Sequence, residues 1–213
     1  MSKLYYRYGA MNSGKTTLLL QVAHNYEERG MKVLILKPKI DTKGDNKLVT
    51  RIGLKRKVDH LIDKDEKLIN YLNTIPKDIA CILVDESQFL TRDQVDDLFM
   101  FTKLKDTAVI CYGLRSDFKT MAFPGSLRLF EIADVMEELY TICRCGKRAK
   151  FNGRIVNGEF TAVGDQVAID GENEVQYESL CGKCYLEKVL GITEDNLKEW
   201  KYINDFLFYV KKI

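Results

Sequence analysis

Leu4-Tyr-Tyr-Arg-Tyr-Gly9-Ala-Met-Asn-Ser-Gly14-Lys15-Thr16-Thr-Leu18-Leu19 is the stretch that decides the fold. Its middle, Gly9 to Thr16, matches the pattern Gly, any four residues, Gly-Lys and then Ser or Thr. A short β-rich run, Leu4 to Tyr8, leads into it. A helical spacing leads out: Leu18, Leu19, Val22 and Tyr26 fall on one face between Lys15 and Arg29, and Gly30 supplies a stop. The glycines let the backbone curl so that N–H groups along Gly9, Ala10, Met11, Asn12, Ser13 and Gly14 point at one phosphate. Lys15 can reach β and γ oxygens, the Thr16 hydroxyl can ligate Mg²⁺, and the following helix turns its positive end on the same anion. The expected ligand is a nucleoside triphosphate with Mg²⁺.

Working outward, Val33 to Leu36, Ile79 to Val84 and Ala108 to Tyr112 are continuous apolar runs, as expected of strands buried on both faces. Thr91-Arg-Asp-Gln94 is a capping box that opens a helix. Strands alternating with helices predict an α/β fold with a largely parallel sheet flanked by helices in three layers. The polar stretch from about Pro38 to Gly53 reads as a long mobile loop, a form that often carries function. Cys81-Ile-Leu-Val-Asp85-Glu86 is an apolar strand that ends in two acids. Beside a phosphate loop, Asp85 suits Mg²⁺, and Glu86 is placed to accept a proton from an attacking hydroxyl.

From about Leu139 the texture changes. Cys143-Arg-Cys145 and Cys181-Gly-Lys-Cys184 bracket short runs punctuated by glycines. Four thiolates suit a closed, tetrahedral, structural Zn²⁺ site; iron–sulfur ligation is the alternative. Cys81 and Cys111 lie in apolar runs and read as small core residues. The expected organisation is a phosphate-binding domain over 1–138, a small zinc-bound β-rich module over 139–192 and a helical extension over 193–213. A net charge of +2 argues against a strong electrostatic hold on nucleic acid or membrane. No run of about 18 apolar residues and no signal-peptide core occurs, so a cytoplasmic chain with reduced cysteines is expected.

These motifs, taken in order, resemble the zinc-containing thymidine kinase family. Asp85-Glu86-Ser-Gln88-Phe89 is similar to its D-E-x-Q-F, and Gly113-Leu114-Arg115-Ser-Asp117-Phe118 to its G-L-x-x-D-F. Phe123-Pro-Gly125-Ser126 follows, and Tyr177-Glu-Ser-Leu-Cys181 is similar to its Y-x-S-x-C. The resemblance runs from Lys3 to about Val189. It implies transfer of the ATP γ-phosphate to the 5′-hydroxyl of thymidine, with Glu86 as the base. It places Gln88 and Arg154 with Asp85 among the ATP and phosphate contacts. Met11, Phe89, Phe118, Phe123, Phe151, Asn152, Val167, Ile169, Gly171 and Tyr177 are implied for the nucleoside, with a loop from about Gly164 to Tyr177 folding over the base. It also implies a homotetramer inhibited by thymidine triphosphate. The sequence departs from the family at Ser87 (usually Ala or Gly), Asn152 (usually Thr) and Lys43 (Arg expected), and the 170–177 stretch is a little longer.

The rival from another class is a nucleic-acid-binding ATPase with a zinc ribbon, which would share the loop, the acids and the cysteines. The near-neutral charge and the lack of a basic stripe weigh against it. His24 and His60 lack acids or cysteines at metal spacing and read as structural or solvated. Lys55-Arg-Lys57 reads as solvated surface, and Arg115 suits either a phosphate or an ion pair.

Overall fold

The computed structural model describes residues 1–39, 46–166 and 175–196 of the 213. Contacts divide the chain into two compact units. Met1–Arg115 with Ala122–Tyr140 forms the first; Ser116–Met121 with the chain from Thr141 onward forms the second.

In the first unit, strands β1 (Leu4–Gly9), β2 (Lys32–Pro38), β5 (His60–Ile62), β6 (Ile79–Val84), β7 (Ala108–Leu114) and β8 (Val135–Glu138) make one sheet in the order β5-β2-β6-β7-β1-β8. Every pairing in it is parallel. Helices α1 (Lys15–Glu27), α2 (Leu68–Leu72), α3 (Arg92–Lys105) and α4 (Pro124–Ile132) cover it, and the hairpin β3 (Lys47–Val49) with β4 (Lys55–Lys57) stands apart from the sheet.

Alternation along each strand feeds two cores, because successive side chains leave a strand on opposite faces. Leu4, Tyr6, Leu36, Ile82, Val84, Val109 and Cys111 join α2, α3 and α4 through Leu68, Leu72, Val95, Leu98 and Leu129. Ile35, Cys81, Leu83, Ile110 and Tyr112 meet Leu19 and Ala23 of α1, with Leu48 and Val58 of the hairpin region. The result is the three-layer, parallel α/β architecture expected. Each fully buried Leu or Ile contributes about 1.5–3 kcal/mol. Cys81 and Cys111 are core residues as read, and burial pushes the Cys81 thiol up to about 12. The N-terminal tyrosines also pack: the Tyr6 and Tyr8 rings meet Phe130 edge-on at 5.1 and 4.9 Å.

The capping box is present. Thr91 Oγ1 accepts from the Gln94 N–H (3.2 Å), and Gln94 Oε1 accepts from the Thr91 N–H (3.1 Å). His60 stacks on Tyr71 at 3.7 Å and pairs with Glu66, so it is structural, while His24 meets Glu28 on the surface and is solvated.

One expectation is corrected. The stretch from Pro38 to Gly53 is not wholly loop, because Lys47–Val49 pairs antiparallel with Lys55–Lys57. Three-residue strands with few apolar residues give too weak an alternation to read. Arg56 is also more than solvated surface: it grips Glu27 of α1 through two bonds of 2.8 and 2.6 Å.

The second unit holds hairpin β9 (Thr141–Ile142) with β10 (Arg148–Ala149), an antiparallel sheet β12-β11-β13 (Glu159–Thr161, Phe151–Val156, Val175–Leu180) and α5 (Gly182–Val189). Its core is small: Cys143, Ala149, Leu180, Cys181, Cys184 and Tyr185, backed by Phe151 and Phe160. The Ser116–Met121 turn is fastened into this unit. Asn152 Nδ2 donates to the Ser116 carbonyl (2.9 Å) and the Tyr185 hydroxyl to the Phe118 carbonyl (2.6 Å). Among the described residues no helix is long and apolar enough to cross a membrane. The expected C-terminal helix lies outside the described residues from residue 197 on, as does Lys43.

Candidate active site

The Gly9–Thr16 loop joins β1 to α1 at the C-terminal edge of the sheet, where parallel α/β folds bind ligands. Gly14 caps α1 with φ 74°, a left-handed turn that an L side chain resists. Gly9 is needed for closeness instead: a Cβ there would lie 2.6 Å from both the Leu139 carbonyl oxygen and Ser13 Oγ. Lys15 Nζ donates to the Ala10 carbonyl at 2.8 Å and to Ser13 Oγ at 3.3 Å. Burial lowers its pKa, against the pull of Glu86 and Asp85.

The two acids follow β6. Asp85 is 4% exposed, and its Oδ2 accepts from the Thr16 hydroxyl at 3.0 Å. Burial, reinforced by Glu86, pushes its carboxyl up to about 7 against the Thr16 bond. A carboxylate confined with a neighbouring acid and a half-buried hydroxyl suits a divalent cation, whose charge would remove that penalty. Glu86 leaves the strand in the left-handed region (φ 51°, ψ 36°), a conformation that costs a non-glycine residue about 1–2 kcal/mol. It opens the short 3₁₀ turn Ser87–Phe89. Gln88, within that turn, is fully buried and donates from Nε2 to Glu86 Oε2 at 2.7 Å.

A cavity of about 390 Å³ brings Met11, Asn12, Gly14, Lys15, Thr16 and Glu86 together. Val49, Thr50, Arg51 and Ile52 of the hairpin also line it. The sequence reading missed these. Arg51 lies two residues beyond a strand too short to read, in a stretch taken as loop, and only the fold shows that the hairpin tip meets the phosphate loop. Phe89 and Phe123, expected for the nucleoside, meet edge-on at 5.4 Å in the same unit.

In the second unit, the Arg154 guanidinium lies 5.0 Å from the Phe118 ring centre, and its Nη1 donates to the Asp165 carbonyl at 3.2 Å. Its buried Nε has no partner among the described residues. Tyr177 pairs with Arg154 across β11 and β13. Asn152 is buried, and its amide explains its departure from Thr: it reaches the Ser116 carbonyl. The Phe151 ring packs on Tyr185 at 5.2 Å, within the module's own core. Val167, Ile169 and Gly171 lie outside the described residues.

The four cysteine sulfurs lie within 4.8 Å of one another, a set that could hold a metal ion. Tetrahedral Zn–S bonds of about 2.3 Å would place sulfurs about 3.8 Å apart, and Cys145 and Cys181 are at 3.5 Å. The β9–β10 turn presents one pair, with Gly146 at φ 83°; the N-terminus of α5 presents the other. Burial opposes ionisation of Cys143, yet the N–H groups of Cys145 and Cys181 and the thiols of Cys145 and Cys184 pull it down to about 7; the Cys145, Cys181 and Cys143 thiols push Cys184 up to about 12. Four sulfurs converging in this way are a donor set that a cation would satisfy.

Comparison with known proteins agrees with this geometry. A family model described as thymidine kinase matches residues 2–185. The thymidine kinase of Francisella tularensis subsp. tularensis is 40% identical over 196 residues, covering 89% of this chain and 99% of that protein. That of Rhodopirellula baltica is 42% identical over 204 residues, covering 92% and 94%. That of Streptococcus gordonii is 41% identical over 189 residues, covering 88% and 97%. With the phosphate loop, the acid pair and the cysteine cluster in the same chain, the protein belongs to the thymidine kinase family.

Proposed function

We propose that the protein transfers the γ-phosphate of ATP to the 5′-hydroxyl of thymidine. The observation that carries this reading is the single cavity shared by Lys15, Thr16 and Glu86, with Asp85 bonded to Thr16 beside it. Phosphoryl transfer asks mainly for charge neutralisation and an in-line hydroxyl. The N–H groups of residues 9–14 and the Lys15 ammonium bind the phosphates. Thr16 and Asp85 would hold Mg²⁺, which supplies charge neutralisation to the phosphate oxygens. Glu86 accepts the proton of the 5′-hydroxyl. The 5′-oxygen forms a bond to the γ-phosphorus as the bond to the β–γ bridging oxygen breaks, and ADP leaves with that electron pair.

Arg154 is proposed to steady the phosphates, and its buried Nε, without a hydrogen-bond partner among the described residues, supports this. Met11, Phe89, Phe118, Phe123, Asn152 and Tyr177 are proposed to contact the nucleoside, with Val167, Ile169 and Gly171 from the covering loop. Structural zinc on Cys143, Cys145, Cys181 and Cys184 would fix both ends of that loop. We further propose a cytoplasmic homotetramer inhibited by thymidine triphosphate.

A nucleoside panel with ATP and Mg²⁺, following formation of 5′-monophosphates, tests the reading. Rapid phosphorylation of thymidine, with little from cytidine or purine nucleosides, is expected. ATP hydrolysis stimulated by DNA, without nucleoside phosphorylation, would overturn it.

A further inference from the structure

We propose that Gln88 is a positioning residue that aims the Glu86 carboxylate at the acceptor hydroxyl. This rests on the reading of Glu86 as the base.

Gln88 is fully buried, two residues beyond Glu86 in the same 3₁₀ turn. Its amide bridges two elements. Oε1 accepts from the Leu114 N–H at the end of β7 (3.0 Å), and Nε2 donates to Glu86 Oε2 (2.7 Å). The first bond fixes the sense of the second. A backbone N–H only donates, so the amide oxygen must face β7 and the NH₂ must face the acid. The carboxylate is thereby tied to the sheet rather than left on a free side chain.

The surroundings make room for the bridge. A Cβ at Gly113 would lie 2.9 Å from Gln88 Oε1 and 3.1 Å from its N, too close for the amide to stay in place. The glycine of the Gly113-Leu114 motif therefore admits the Gln88 side chain to the end of β7. The left-handed backbone at Glu86 supplies the other constraint, turning the acid out of the strand direction at the point where the amide catches it.

Gln88→Met keeps the side-chain length but removes both bonds. It is expected to lower kcat about 10–100-fold, as misaimed catalytic groups do. Gln88→Glu keeps an acceptor for the Leu114 N–H but turns a carboxylate on Glu86. It is expected to lose at least as much turnover while retaining the anchor to β7. Glu86→Gln alone should lower kcat by about 10²–10⁴-fold. The deciding measurement is the double variant: if Gln88 acts through Glu86, Gln88→Met costs no further turnover in the Glu86→Gln background. Equal loss in both backgrounds marks a merely structural residue and overturns the proposal, as does wild-type turnover of Gln88→Met. Wild-type turnover of Glu86→Gln would instead overturn the base assignment itself.

Discussion

Asp134 shows how much one carboxylate can fasten. It accepts from the Leu4 N–H at the start of β1 (2.7 Å) and from Lys103 Nζ at the end of α3 (2.6 Å). Burial works against its charge, but Lys103 and the Leu4 N–H outweigh burial and hold its pKa below the usual value. A carboxyl depressed by folding contributes stability above its unfolded pKa of about 4 and loses it as the pH falls through the lower folded value. Asp134→Asn should therefore unfold about 1 kcal/mol more easily at neutral pH, with the gap to wild type closing on acidification; denaturant titrations at pH 7 and pH 3 check this. Neither Asp134 nor the Gln88 bridge was legible as such in the sequence. Each depends on a partner 130 or 26 positions away, and nothing local marks it. The Gly9–Thr16 motif, by contrast, lies in one contiguous run, so its pattern is visible in the sequence without any long-range partner.

Elements were legible in proportion to their hydrophobic signal. The strands feeding both cores announced themselves as apolar runs, and α3 by its capping box. The β3–β4 hairpin did not, since Lys47-Leu-Val49 and Lys55-Arg-Lys57 are mostly charged. Its place is set instead by the Arg56–Glu27 grip on α1 and by Leu48 in the core. That grip is on the surface and contributes at most about 1 kcal/mol. Arg56→Ala should loosen the hairpin tip that carries Arg51 and raise KM for ATP about 2–5-fold, the kinetic equivalent of such an energy, with kcat little changed. Initial-rate kinetics over a range of ATP concentrations would show it. Equal KM values would mean that the hairpin holds its place without the pair.

At the scale of the whole molecule, the apolar core of the second unit is small among the described residues, and a metal on the cysteine cluster would add to its stability. Purified protein should carry about one zinc per chain. Cys181→Ser should lose it, together with the protection of β11 and β13 amides against hydrogen exchange, while the first unit's strands stay protected. Retained protection in the zinc-free variant would show that the metal is dispensable for this unit. The cysteine spacing made the module visible in the sequence, but not its membership: Ser116–Met121 lies between β7 and α4 in the chain, and only long-range bonds from Asn152 and Tyr185 assign it to the module. That membership has a consequence for cutting and grafting. The chain passes from one unit to the other at 115/116, at 121/122 and at 140/141, so the module is not a continuous cassette. A protease nick after Tyr140 would sever one covalent link, yet the C-terminal fragment would keep its hold on the 116–121 turn of the N-terminal one. The two pieces should co-elute until denatured, and the module could not be transplanted into another protein as a single stretch of sequence.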